Sequence, residues 1–184
     1  MALHRSVDTF VNIMKKLIFI IPFLALVFLT SCNGAKFTRY PGAKLDSIPV
    51  EFRGVYKDPD KKSKKKDFIV VGKDYYTLSD VEKKVYLSDS MVFSIYKGAY
   101  YLSTLEDNNK YWQILFVKPS GKDLHLYPML YDEKLPDAKN SITKYFTPRV
   151  DKDSNYVFTM DEEKLFQYSQ KELMKEEAMK LKRR

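Results

Sequence analysis

Residues 91–118 decide the fold, and they read "MVFSIYKGAYYLSTLEDNNKYWQILFVK". Three runs rich in Tyr, Val, Ile, Phe and Thr are separated by the short polar segments "KG" and "EDNNK". β-Branched and aromatic residues favour strands, whereas Gly, Asn and Asp favour the turns that join hairpins. The spacing therefore predicts consecutive hairpins made of three strands, over Met91–Tyr96, Tyr100–Leu105 and Tyr111–Lys118.

The same alternation of strand and turn residues continues on both sides of this stretch, from Val50 onward. Consecutive hairpins form a meander, and a long meander exposes its edges unless it curls or closes. The predicted fold class is therefore mainly β: an antiparallel meander that forms a barrel or a strongly coiled sheet, with one C-terminal α-helix. The further predicted strands are Phe52–Tyr56, Phe68–Val71, Tyr75–Leu78, Lys84–Leu87, Leu124–Leu130 and Tyr156–Thr159.

The order of apolar residues along two of these strands predicts which faces are buried, since side chains two apart point the same way. In the strand over 111–118 both alternating sets are partly apolar, and one of them holds Trp112, Ile114 and Phe116. We expect both faces of this strand to be partly buried. In the following strand the two sets differ. The predicted inner set is Leu124, Leu126 and Leu130, and the outer set is Asp123, His125 and Tyr127.

Residues 159–184, "TMDEEKLFQYSQKELMKEEAMKLKRR", change to a helical period. Thr159 and Glu162 have the spacing of a capping box, and acidic residues come early and basic residues late, as the helix dipole favours. Phe166 and Leu173 belong to one apolar stripe. We predict a helix over 160–182 whose first half packs on the sheet. Docking of the stripe on a partner is the alternative.

The N-terminal part contains an apolar run, Leu17–Leu29, which follows Lys15 and Lys16 and ends in the small residues Thr30 and Ser31. A positive region, a short apolar region and a small-residue processing site are the three parts of a secretory signal peptide. The run is shorter than the roughly 20 apolar residues that a bilayer-spanning helix needs. We therefore expect residues 1–31 to be removed. An uncleaved signal anchor is the alternative.

The start of the signal peptide raises a separate question, because residues 1–13 precede Met14 and include Asp8, which weakens a positive region. We expect translation to begin at Met14, which makes residues 1–13 a start-site artefact. A long positive region is the alternative.

The processing site consists of Leu29, Thr30, Ser31 and Cys32, and Cys32 is the only cysteine of the chain. These residues closely resemble the lipobox of bacterial lipoprotein precursors. The resemblance implies that the processing enzymes recognise Leu29, Thr30 and Ser31. It also implies that Cys32 receives a diacylglycerol thioether, becomes the new N-terminus and is N-acylated. Two or three acyl chains give stable attachment, so the first expected partner is a membrane.

The segment after the lipobox, "NGAKFTRYPGAKLDSIP", mixes Gly, Pro and polar residues without a helical or strand period. This composition predicts a flexible lipidated tether over 32–49, followed by a single domain over 50–184. Asn33 follows the cysteine, where enteric lipoproteins retained at the inner membrane carry Asp, and no acidic cluster resembles a Bacteroidota-type surface-export signal. The resemblance therefore implies an outer-membrane protein that faces the periplasm.

The segment "EFRGVYK", residues 51–57, begins the predicted domain. Its Gly54, Val55 and Tyr56 loosely resemble the Gly-x-Trp motif that opens the first strand of lipocalin-like proteins, with Tyr in place of Trp. A meander and a late helix are further points of likeness. The resemblance implies a barrel that is either filled by its own side chains or holds one small apolar ligand.

Candidate catalytic and metal-ligating residues are few. After the predicted cleavage His125 is the single histidine, with Asp123 two residues away to orient its ring. A zinc site lacks a second His or Cys. Asp151, Asp153 and Asn155 begin like a calcium loop but lack its glycine, and their twelfth position starts the predicted helix. We expect an exposed His125, no catalytic residue, no metal and no cofactor.

Two basic clusters stand out in a chain of formal net charge +8. Such clusters attract anionic lipid, acidic glycans or nucleic acid. Neither contains interleaved aromatic residues, so nucleic acid is not expected. Contact with an anionic surface is the functional interpretation, and a solvated loop and helix end are the alternative. The residues are Lys61, Lys62, Lys64, Lys65 and Lys66 in one cluster, and Arg183 and Arg184 in the other.

These observations predict a lipid-anchored cell-envelope protein that acts as a non-enzymatic binding or structural module. Besides the membrane, the expected partner is an envelope protein or a small apolar ligand. Two alternatives remain open. One is a lipocalin-like carrier of a small apolar ligand, and the other is an envelope enzyme that uses His125.

Overall fold

The computed structural model describes residues 34–57, 68–78, 83–106, 110–132, 134 and 140–184. The predicted signal peptide, the lipobox and the lysine cluster of residues 61–66 lie outside these ranges. The described residues from Gly34 onward belong to one compact unit.

The described residues form a sheet of thirteen strands and an α-helix, α1, which confirms the predicted fold class. Each of the nine predicted strands has a counterpart whose ends are displaced by no more than two residues. The strands are β1 Lys36–Phe37, β2 Ala43–Lys44, β3 Gly54–Lys57, β4 Phe68–Val71, β5 Tyr75–Leu78, β6 Lys83–Tyr86, β7 Met91–Tyr96, β8 Ala99–Leu105, β9 Trp112–Ser120, β10 Asp123–Pro128, β11 Arg149–Val150, β12 Tyr156–Phe158 and β13 Met179–Arg183. The helix α1 is Glu162–Lys171, and 3-10 turns occupy Val50–Phe52, Ser141–Lys144 and Leu173–Lys175.

The sheet is a curled half-barrel in which neighbouring strands follow the order β2-β7-β8-β9-β10-β13-β3-β4-β5-β6. β1 lies beside β9 and continues the sheet to β12 and β11, and its pairing with β12 is parallel. β7 and β3 are five strands apart in this order, yet Phe93 of β7 and Tyr56 of β3 belong to one hydrophobic cluster. The curl therefore brings the two halves of the sheet face to face.

Apolar side chains fill both sides of the central strands. The concave core, inside the curl, consists of Ile48, Phe52, Tyr56, Phe93, Val117, Leu124 and Leu181. The helix-side core, under α1, includes Phe37, Tyr101, Ile114, Phe116, Tyr127, Phe158, Leu165 and Tyr168. β9 contributes to both cores, which confirms that both of its faces are partly apolar. Trp112 at the start of β9 is only half-buried, with its ring edge-on to Tyr40 at 5.1 Å.

The predicted faces of β10 are correct for Leu124 and wrong for two other residues. Tyr127, placed on the outer face, is buried, because the helix-side core covers that face here. Leu130, placed on the inner face, is 42% exposed, because β10 ends at Pro128 and its alternation ends there too.

The predicted helix over 160–182 is too long. α1 ends at Lys171, and Met179–Arg183 forms β13 between β10 and β3. The local sequence suits a helix, but pairing on both edges satisfies the backbone of β13 and buries Leu181, so tertiary contacts override helix propensity. The helix cap also differs, since Asp161 accepts the Lys164 N–H at 3.1 Å in place of the expected Thr159 cap. The packing of the first half of the helix on the sheet is confirmed by the buried Leu165 and Tyr168.

The segment predicted to be a flexible tether is part of the folded body. β1 pairs with β9 on one edge and with β12 on the other, and β2 pairs with β7. Ala35, Phe37 and Ile48 are buried. The Phe37 ring packs edge-on against Phe146, with centroids 5.6 Å apart. The body therefore begins at Gly34 and not at residue 50. A segment as short as residues 35–37, with Ala35 and Phe37 buried, is enough to fill the position between β9 and β12.

Candidate functional sites

The proposed lipidation site, Cys32 with Leu29, Thr30 and Ser31, lies outside the described residues, but its point of attachment to the body is defined. Gly34 forms an antiparallel bridge with Leu130. The Ala35 N–H donates to the Met129 carbonyl at 2.9 Å. The folded body is therefore fixed only two residues after Cys32. No helix within the described ranges has the length and apolar character needed to cross a membrane.

A row of basic residues crosses the outer face of β9, β10 and β13. In the strand register Lys118 lies opposite His125, and His125 lies opposite Lys180. Farther along β13, Lys182 lies opposite Lys57 of β3. Directly opposite residues in an antiparallel pair have Cβ atoms about 4.5–5.5 Å apart, so the register concentrates positive charge. We call Lys57, Lys118, His125, Lys180 and Lys182 the basic row. Its four lysines are exposed.

Of Arg183 and Arg184, which the sequence placed in an anionic-surface contact, only Arg184 alternates onto the face of the basic row. Arg183 shares the other face of β13 with Leu181. The Arg183 guanidinium donates to the Arg53 carbonyl and lies over the Tyr56 ring, 5.8 Å from its centroid. The Arg184 guanidinium lies over the Phe68 ring at 5.1 Å. Both arginines are exposed, and their guanidinium groups also contact aromatic side chains of β3 and β4.

The lysines of the other predicted cluster, Lys61, Lys62, Lys64, Lys65 and Lys66, lie outside the described residues. The strand residues at the two ends of segment 58–67 are nevertheless paired, because Lys57 lies opposite Phe68. Lys57 in turn lies opposite Lys182. The two described ends of the segment that carries the lysine cluster therefore lie next to β13, the strand that carries Arg183.

His125 is half-buried, not exposed as predicted, and its ring lies edge-on to Tyr127 at 6.4 Å. Asp123, the residue expected to orient the imidazole, accepts the Arg183 backbone N–H at 3.0 Å. The cross-strand neighbours of His125 are two lysines. A nucleophile-activating histidine needs an orienting acceptor and an adjacent nucleophile, and the described contacts of His125 supply neither.

The acidic loop between β11 and β12, considered above as a calcium loop, binds a lysine. The Lys110 ammonium donates to one carboxylate oxygen each of Asp151 and Asp153, both at 2.8 Å. The Tyr111 hydroxyl donates to Asp151 at 2.6 Å. The other Asp151 oxygen accepts the backbone N–H groups of Asp153 and Asn155, both at 2.8 Å. The Lys110 ammonium thus supplies the positive charge that the carboxylates of Asp151 and Asp153 bind.

These contacts change the ionisation of the loop. The hydrogen bonds from Lys110 and Tyr111 hold the pKa of the Asp151 carboxyl well below its usual range. The same contact raises the pKa of Lys110. Within the described part of the chain, no group of three or more His, Cys, Asp or Glu side chains is arranged to hold a metal ion. The hydrogen bonds between Asp151 and Asn155 close the turn between β11 and β12, and the Asp-x-Asp-x-Asn spacing is the signal that could have identified it as a turn.

The concave core occupies the place where a lipocalin-like carrier would hold its ligand. The Phe52 ring packs edge-on against Tyr100 and Phe93, with centroid distances of 4.7 and 5.4 Å. The Tyr56 side chain of the Gly54-Val55-Tyr56 motif is buried there, and its hydroxyl donates to the Phe52 carbonyl at 2.9 Å. These side chains support the filled form of the predicted barrel.

Compared with protein-family models, with curated proteins and with solved structures, the chain matches none. The resemblances to lipoprotein precursors and to lipocalin-like proteins therefore stay predictions that rest on the residues quoted for them.

Proposed function

We propose that this chain is a lipid-anchored cell-envelope protein, attached through Cys32 to the outer membrane and facing the periplasm, whose body is a non-enzymatic binding or structural module. The observation that carries the proposal is the sequence Leu29-Thr30-Ser31-Cys32 at the end of a signal-peptide-like run. The packing of the body supports it in two ways. Aromatic side chains fill the concave core, and Asp123 and the acidic loop take part in structural contacts.

The test replaces the sulfur that would carry the lipid. Cys32→Ala should leave an unprocessed or released precursor, since neither thioether nor cleavage can follow. Thr30→Ala is the matched control, because it keeps a small residue at that lipobox position and should be processed normally. Membrane fractionation and intact mass measure both outcomes. Normal processing and membrane attachment of the Cys32→Ala protein would contradict the proposal.

A second candidate function is binding of an anionic envelope component on the outer face of the sheet, and the basic row favours it. Four lysines and one histidine from four strands lie within one patch, beside Arg184. Exposed charges of one sign attract an anionic surface, and salt screens that attraction over about 10 Å at 0.1 M.

The matching experiment uses the soluble body from residue 33 onward and vesicles with or without phosphatidylglycerol. Combined Lys118→Gln, Lys180→Gln and Lys182→Gln should abolish most of the salt-sensitive binding to the anionic vesicles. The control carries the same charge change at the exposed lysines Lys73, Lys83 and Lys171, and it should bind like the unchanged protein. Equal losses in the two variants would show that net charge, and not the basic row, causes binding.

A further inference from the structure

The chain segment between the proposed lipid on Cys32 and the folded body is short. Only Asn33 separates Cys32 from Gly34, and Gly34 already pairs with Leu130. Two extended residues span at most about 7 Å. A free segment over 33–49 would instead reach roughly 55–60 Å. The polar layer on each side of a bilayer is about 5–8 Å thick, so a 7 Å link reaches no farther than that layer.

The first residues of the body are also held firmly. Ala35 and Phe37 are buried, and β1 is hydrogen-bonded on both edges. The Lys36 ammonium donates to the Asn155 side-chain oxygen at 2.8 Å and lies 3.4 Å from the Glu106 carboxylate. Lengthening the link by releasing β1 would therefore extract Phe37 from the helix-side core and break these contacts.

The surface beside Gly34 has the composition of a membrane contact. Leu130, the bridge partner of Gly34, is 42% exposed, and Val150 on β11 is 60% exposed. Two tyrosines connect the two positions, since the ring of Tyr131 lies 5.4 Å from that of Tyr156, and Tyr156 lies opposite Val150.

Two exposed basic side chains lie close to Val150 among the described residues of this surface. Arg149 and Lys152 flank Val150 and are exposed. Asp151 and Asp153 of the same loop already bind Lys110. Apolar side chains among cations suit the interface of a bilayer with anionic headgroups.

We propose that the body has no tether and lies directly on the membrane, with the anchor edge, defined as Gly34, Leu130, Arg149, Val150 and Lys152, in contact with the lipid headgroups. This inference rests on the proposed lipidation of Cys32. The short link fixes which edge faces the bilayer. The opposite end of the strands, where Val55 of β3 lies beside the end of β13 and near the Asp123 end of β10, faces away from it.

The test compares two engineered thiols on the lipidated full-length protein. Leu130→Cys lies on the anchor edge. Val55→Cys lies on β3 at a site of similar exposure, near the Asp123 end of β10 and therefore roughly 23 Å along the strand direction from Leu130. In lipidated protein the Cys32 sulfur is in the thioether, so the new thiol alone accepts a fluorophore. The protein is reconstituted in vesicles of phosphatidylethanolamine and phosphatidylglycerol that contain a headgroup-nitroxide lipid. Val150→Cys provides a second labelled position should Leu130→Cys not fold.

Quenching at residue 130 or 150 should be at least about twofold stronger than at residue 55, because a quencher in the headgroup layer reaches only groups near that layer. Equal quenching in protein whose intact mass shows the lipid would overturn this inference and leave the proposed function standing. A mass without lipid would overturn the proposed function and this inference with it.

A linker variant tests the cause of the contact. About twelve Gly and Ser residues inserted between Asn33 and Gly34 add roughly 20 Å of flexible reach. Quenching at residue 130 should then fall to the level at residue 55. If it stays at the level of the unextended protein, the short link does not impose the orientation, and the inference fails.

Discussion

The β8–β9 region and the β4–β6 region belong to one sheet but differ in how many of their faces are covered. β8 and β9 lie between the two cores, and both alternating sets of their side chains are packed. In β4–β6 no side chain with a described burial is fully buried, and Tyr86 is 52% exposed. Ile69 and Val71 of β4 pack against the concave core as partly buried side chains. β5 and β6 have surface contacts such as the Lys84 ammonium 4.6 Å above the Tyr75 ring. We therefore expect side chains of β8 and β9 to contribute most of the free energy of unfolding, whereas β4–β6 depend more on strand pairing.

Truncating one large side chain in each region gives the strongest test of this difference. Phe116→Ala in β9 should lower the free energy of unfolding by about 3–5 kcal/mol, since it empties space in the helix-side core. Tyr86→Ala should change it by no more than about 0.5 kcal/mol, as exposed substitutions do. Urea unfolding of the soluble body measures both. Similar decreases in the free energy of unfolding of the two variants would contradict the proposed difference between the two regions.

An alkaline titration tests the difference between the two regions in a second way, because tyrosine hydroxyls are buried in the helix-side core. Burial raises the pKa of Tyr101 to about 12, and burial also raises the pKa of Tyr168. The usual value in an unfolded chain is about 10. Because the folded-state pKa is the higher one, the stability contributed by neutral Tyr101 is complete below about pH 10 and is lost as the pH rises towards 12.

Across that window the free energy of unfolding should fall by about 1.4 kcal/mol per pH unit for each such group. Tyr101→Phe should remove its share of this slope, and Tyr86→Phe should leave the slope unchanged. Urea unfolding at several pH values between 9 and 12, a range set by these pKa values, provides the measurement. An unaltered slope in Tyr101→Phe would show that its hydroxyl is not sequestered from water.

The smallest expected effect concerns His125, at the border between the two regions. His125→Ala should change the free energy of unfolding by no more than about 0.5 kcal/mol, because the residue is half-buried beside exposed lysines. The variant should also leave unchanged any envelope phenotype of a gene deletion. A normally folded His125→Ala protein that reproduces the deletion phenotype would revive the enzyme alternative.

Local sequence was sufficient for the hairpins of residues 91–118, because strong strand formers and turn residues lie next to each other there. It was not sufficient for Met179–Arg183, whose composition suits a helix as well as a strand. The partners that decide between them, β10 and β3, are more than fifty residues away. Lys36–Phe37 is too short to show a period, so its place beside β9 was hidden within a segment of tether-like composition.

The same difference between local sequence patterns and contacts between distant residues applies to the candidate sites. The Leu29-Thr30-Ser31-Cys32 motif is contiguous and could be identified from sequence. The basic row is not contiguous, since Lys118, His125 and Lys180 come together only through the register of three strands. The Lys110 contact with Asp151 joins residues 41 positions apart, and no local pattern predicts it.

The position of β13 also has a consequence for the order of folding during synthesis. Among the described strands β13 alone pairs with both β10 and β3, so it connects the hairpins of β3–β6 to the rest of the sheet. A ribosome adds Met179–Arg183 only after every other strand described here. Until then β3 and β10 each present an unpaired edge, which is a site for aggregation. A nascent chain that stops before residue 179 would therefore be left as two incomplete sheets and would depend on chaperones to stay soluble.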